Sequence, residues 1–134
     1  MEYAIGVILG VVICPFASVV GFDKERGFYP VLLIVIEGYY LLFAVMAKST
    51  AALLAEGLPM FLFTAAAVLG FRRTAWIAVA GLVMHGVFDS FRRTVIPNPG
   101  VPQWWPGFCL AIDVVMAIYL AGLILIRAKR TPNG

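Results

Sequence analysis

Charge is scarce in this chain. Only 13% of its 134 residues are Asp, Glu, Lys or Arg, against 63% hydrophobic. With a mean hydropathy of +0.99, that balance excludes a soluble domain built around one buried helix. Cysteine is rarer still. Cys14 and Cys109 stand alone, with no CxxC pair, which argues against thiol-exchange chemistry and a zinc knuckle. Cys14 falls near the middle of its apolar run and Cys109 near the end of another, so depth keeps them apart; Cys109 is either a packed thiol or a soft ligand at the edge of a site. The first apolar run has no basic residue ahead of it and no clear small-x-small cleavage site, so it is expected to be a retained span, not a signal peptide. The net charge is +3. Its basic residues stand at the ends of apolar runs, where they set orientation in a membrane, and no nucleic-acid partner is implied.

What fills the chain is five apolar stretches, at residues 3–21, 29–47, 51–70, 74–91 and 108–126. Each is about the length a helix needs to cross roughly 30 Å of hydrocarbon. The expected fold is all-α: an integral membrane bundle of five transmembrane helices, forming a single domain over residues 1–134 in contact with the lipid bilayer. Of the basic residues, seven (Lys24, Arg26, Arg72, Arg73, Arg127, Lys129 and Arg130) fall on one side and three (Lys48, Arg92 and Arg93) on the other. The positive-inside rule then places the N-terminus outside and the C-terminus in the cytoplasm of a multi-pass cell-membrane protein, as in a bacterial inner membrane. Tyr3, Tyr29, Trp76, Trp104 and Trp105 sit where interfacial aromatic anchors belong.

Five ionisable residues, Glu37, Glu56, His85, Asp89 and Asp113, interrupt these runs. Each costs at least ~2.5–3.5 kcal/mol near the middle of a span, so such groups face a bundle interior or a water cavity, and they pair. Counting at about 1.5 Å per residue places Glu56 and Asp113 roughly 8–9 Å below the outer face, with His85 and Asp89 at similar or shallower depth and Glu37 beneath them near the midplane. His85 and Asp89 are spaced i, i+4, as are Cys109 and Asp113, so each pair shares a helix face. Polar residues that merely lock helices together are more often Ser, Thr, Asn or Gln.

Three chemistries suit the set. His85, Asp89 and Asp113 can ligate a divalent metal ion. His85 and Asp89 can act as a general acid and base with Glu56 and Asp113 as partners. The same groups can also relay protons. Gly6 and Gly10 form a small-xxx-small face suited to close helix approach. Pro15 and Pro59 are expected to kink the first and third spans, the latter beside Glu56. The segment 96–106 holds four prolines, at 97, 99, 102 and 106. It is expected to be stiff and extended, either a lid over the ionisable cluster or a strap between two spans.

The run His85-Gly86-Val87-Phe88-Asp89, followed by Asn98-Pro99-Gly100-Val101-Pro102, Trp104-Trp105-Pro106, Cys109 and Asp113, resembles a family of small bacterial membrane proteins of unknown function. Phe22-Asp23, Arg26 and Phe28-Tyr29-Pro30 extend the likeness over most of the chain. In the family pattern a second histidine often stands at the position of Arg92, and the position of Glu37 is often uncharged. The resemblance implies no activity. The Trp-x-Pro-Pro pattern of tryptophan-rich sensory proteins is missing.

The expected function is binding or transforming a small lipid-soluble or amphipathic substrate at an intramembrane His/carboxylate site open to the outer face, by acid/base or metal-assisted chemistry. The alternatives are a proton-coupled or cation carrier, which five short helices enclosing little space would build as a homo-oligomer, and an accessory subunit of a membrane complex.

Overall fold

A computed structural model describes residues 1–131; the last three positions of the expected domain lie outside the described residues. The chain forms five helices, α1 (Glu2–Val20), α2 (Phe28–Met46), α3 (Thr50–Arg72), α4 (Ala75–Val95) and α5 (Trp105–Arg130), with a short 3-10 turn at Phe22–Lys24 between the first two. Local chemistry sets the breaks. Gly21 ends α1 in the left-handed region at φ 94°, where a side chain would be strained. Ser49 and Thr74 cap α3 and α4 by accepting from the backbone N–H groups of Ala52 and Trp76. Pro106 in the first turn of α5 needs no intrahelical donor there. Helices α1 and α3 continue through Pro15 and Pro59.

Two boundaries differ from the sequence expectation in a way that matters. Helix α4 does not stop at Phe91 but runs on to Val95. Arg92 and Arg93 are good helix formers, and the Ile96 N–H still donates to the Arg92 carbonyl at 2.7 Å. Pro97 is the true stop, holding Ile96 in extended backbone at φ −125°, ψ 103°. Helix α5 begins at Trp105, ahead of the expected residue 108.

Four of the helices, α1, α2, α3 and α5, are long and apolar enough to cross a membrane. Helix α4 is of similar length but carries His85, Asp89, Arg92 and Arg93. The bundle is inverted relative to a soluble protein. Large apolar side chains face outward, with Val19 88% and Leu54 75% exposed, while Glu37, Glu56, His85, Asp89, Arg92 and Asp113 are buried. Such an apolar exterior suggests lipid contact and a multi-pass membrane protein.

Helix α5 packs against α1 and α4, and α3 packs against α2 and α4. The α1–α5 contact uses the glycine face the sequence marks. A Cβ at Gly6 would stand 2.5 Å from the Phe108 carbonyl oxygen, and one at Gly10 would stand 2.7 Å from Val115 Cγ1. Because the pairing advances in the same sense along both helices, α1 and α5 run parallel. Below the polar groups lies an apolar layer that includes Leu33, Leu82, Met116 and Leu120.

Candidate functional site

Arg92 is the hub. It is 2% exposed and its guanidinium donates to three carboxylates from three helices. Nε and Nη2 reach Glu56 Oε2 at 3.1 and 2.7 Å, Nη2 and Nη1 reach Glu37 Oε1 and Oε2 at 2.5 and 3.0 Å, and Nη1 reaches Asp89 Oδ1 at 3.0 Å. A planar fork with five N–H groups satisfies this geometry; an ammonium does not. The guanidinium carbon also lies 3.4 Å from the centre of the Tyr40 ring and 4.8 Å from that of Phe88, which adds cation–π attraction in a desolvated place.

His85 forms the second centre. Its Nε2 lies 2.9 Å from Glu37 Oε2, its Nδ1 2.6 Å from Asp113 Oδ2 and 3.7 Å from Asp89 Oδ2. Phe63 packs edge-on against the ring, centroids 5.0 Å apart. Glu37 therefore joins the two centres, bonded at once to His85 and Arg92. Helices α2, α3, α4 and α5 each contribute, and the His85, Asp89 and Asp113 ligand atoms lie within 4.8 Å of one another, a buried group able to hold a metal ion.

The proline-rich segment closes the site from the end where α4 stops. Asn98 Nδ2 donates to the Tyr40 carbonyl and to Glu56 Oε1, both at 3.0 Å, while its Oδ1 accepts from the Gly100 N–H at 3.2 Å. Arg93 Nη2 donates to the carbonyls of Val101 and Pro102. The segment is thus a lid bonded into the network, which goes beyond a strap. Beside it, a polar cleft of about 250 Å³ is lined by Asp89, Ser90, Arg93, Thr94, Gln103 and Glu2 among others. Asp89 belongs to both the buried network and the cleft.

His85, Asp89, Asp113 and Glu56 are all brought into one network, though Glu56 enters it through Arg92 and Asn98. Three expectations change. Glu37 does not lie beneath the site but inside it, because α4 extends four residues further and lowers His85 to its level. Arg92 is not an outer-surface charge. The expected open cavity is a packed network touching a cleft at Asp89. The signal for Arg92 was present: His85, Asp89 and Arg92 are i, i+4 and i+7, one helix face, but adjacency to Arg93 and the prolines disguised it.

At the opposite end a smaller polar group ties α1 to α5. Ser18 hydrogen-bonds to Asp23 and lies 2.8 Å from the Tyr119 hydroxyl, and Arg127 donates to the Asp23 carbonyl and carboxylate. Cys14 and Cys109 are buried free thiols. No family model, curated protein or solved structure matches the chain.

Proposed function

We propose that this is a five-span membrane protein, N-terminus outside and C-terminus in the cytoplasm, that binds a small amphipathic or lipid-soluble substrate near the outer face and transforms it by acid/base chemistry. The position of Asp89 carries this reading. Its Oδ1 is held by Arg92, while Oδ2 has no hydrogen-bond partner although the residue is only 1% exposed. Asp89 lines the polar cleft, and a buried carboxylate fixed on one oxygen and unpartnered on the other is suited to accept a proton that originates on a bound substrate. His85, 3.7 Å away and backed by Asp113 and Glu37, is the next proton carrier. Arg93, Thr94 and Gln103 offer donors to a polar head.

The apolar layer of Leu33, Leu82, Met116 and Leu120 between the two polar groups supports a one-sided site over a through-going carrier path. Within the family likeness, the two departures, arginine at position 92 and glutamate at position 37, are partners here at 2.5 Å, so one accounts for the other.

To test the chemistry, purified protein is incubated with bacterial lipid extract and the products followed by mass spectrometry. A species should be converted by the wild type and left intact by Asp89→Asn, which keeps the Arg92 contact. Identical extracts from both would end this proposal. The topology is expected to persist even with Arg92 buried, since seven basic residues then face Lys48 and Arg93. A periplasmic reporter active at the C-terminus, where a cytoplasmic one is expected, would invert the assignment.

A further inference from the structure

We infer that His85 Nδ1, Asp89 Oδ2 and Asp113 form a binding site for one divalent first-row metal ion. Two observations beyond the acidic cluster itself point to it.

The first is unpaired buried oxygen. Asp89 Oδ2 and Asp113 Oδ1 have no hydrogen-bond partner, and their residues are 1% and 0% exposed. Buried carboxylate oxygens are otherwise paired or coordinate metals. Both residues belong, with His85, to the one such group among the described residues whose ligand atoms lie within 4.8 Å of each other; in Asp113 the oxygen nearest Nδ1 is Oδ2 and the unpaired one is its neighbour Oδ1. Ligands about 2.0–2.2 Å from a tetrahedral zinc stand roughly 3.4 Å apart. The present separations of 2.6 and 3.7 Å from Nδ1 to the Asp113 and Asp89 oxygens bracket that spacing, so small side-chain rotations suffice.

The second is the orientation of the ring. Both nitrogens of His85 face carboxylates, and a neutral imidazole has one N–H to give. Placed on Nε2, it donates to Glu37 Oε2, the arrangement by which a metal-bound histidine is oriented from behind. Nδ1, which otherwise bonds Asp113 Oδ2 through a proton, then presents its lone pair to the space between Asp89 and Asp113, where a metal ion can take that proton's place. Net charge agrees. Four buried carboxylates, Glu37, Glu56, Asp89 and Asp113, surround the single guanidinium of Arg92, whose five N–H contacts are spent on Glu37, Glu56 and the far oxygen of Asp89. A divalent cation offsets most of the excess without displacing any of those bonds. One imidazole and two carboxylates suit zinc, manganese or iron, and leave at least one coordination position for water or substrate.

This inference deepens the proposed acid/base site and rests on it only for what the ion is used for, since the test contains no substrate: with the ion in place Asp89 Oδ2 would be a ligand, and the ion would supply the acid/base chemistry in place of the free carboxylate. The chain has a single histidine, so in untagged protein histidine coordination can only be His85. Purified protein in nanodiscs, stripped with chelator, is titrated with Cu2+ as a spectroscopic probe and examined by pulsed electron paramagnetic resonance. One equivalent of copper carrying the modulation of a remote imidazole nitrogen is expected, and it should be displaced by Zn2+. Asp113→Asn and Asp89→Asn should each weaken Zn2+ binding at least tenfold. Failure of the wild type to bind, copper without the imidazole signature, or affinity unchanged in both variants would overturn the site. Metal binding with no lipid product would remove the proposed reaction and leave the metal site; lipid product from a wild type that binds no metal would remove the metal site and leave the reaction.

Discussion

Replacing Arg92 by Met should cost about 3–5 kcal/mol of stability, the range seen when one member of a buried ion pair is removed and its partners stay behind. The size follows from what is stranded. Glu37, Glu56 and Asp89 lose five charge-assisted hydrogen bonds at once, in surroundings that exclude water. Arg92→Lys keeps the charge but cannot span three carboxylates, and should fall between. Glu37→Gln alone should be mild, since Arg92 keeps Glu56 and Asp89. Adding it to Arg92→Met should recover part of the loss, because one stranded charge is gone. Heat challenge followed by size-exclusion chromatography ranks all four proteins. If Arg92→Met survives heating as the wild type does, the hub assignment is wrong.

The second large effect is expected at Gly100. A Cβ there would stand 1.9 Å from the Phe43 carbonyl oxygen and 2.6 Å from its carbon, and backbone atoms of α2 cannot give way as a flexible side chain can. Gly100→Ala must therefore lift the lid, drawing Asn98 from Glu56 and from the Tyr40 carbonyl. The expected cost is at the top of the roughly 1–3 kcal/mol range for overpacking, with faster amide exchange from residue 98 to 105. Gly38→Ala is the control. That position is helical with open space around it, so alanine should be neutral or stabilising by up to about 1 kcal/mol. Equal exchange in the two variants would show that the lid does not depend on this contact.

Much of this architecture is written in residue order. The apolar runs mark the helices, Gly6 and Gly10 mark the α1–α5 contact, and of the four side chains expected in one site His85, Asp89 and Asp113 lie together while Glu56 is linked to them through Arg92. The missing pieces have a common cause. A run such as Phe91-Arg92-Arg93 reads as a helix end because charge is costly in lipid, yet burial against three carboxylates reverses that cost for one arginine and not for its neighbour. Only the tertiary fold distinguishes Arg92, buried, from Arg93, exposed. The level of Glu37 has the same cause, since α4 continues to Val95, four residues past Phe91, and so sets His85 deeper than a stop at Phe91 implies. The lid's contact through Asn98 could not be read either, because proline fixes local stiffness but not the surface on which a segment lands.

The separation of the hub from its partners along the chain also orders events in time. Glu37 precedes Arg92 by 55 residues and Glu56 precedes it by 36. At synthesis rates of roughly 5–20 residues per second, the carboxylate-bearing helices α2 and α3 exist for about 2–11 s before their cation is made. Helix α1 waits longer, because the helix it packs against is the last one. Assembly of this protein is therefore not a helix-by-helix accretion: Glu37 and Glu56 are delivered first, and the residues from His85 to Asp113 both supply the cation that binds them and close the bundle.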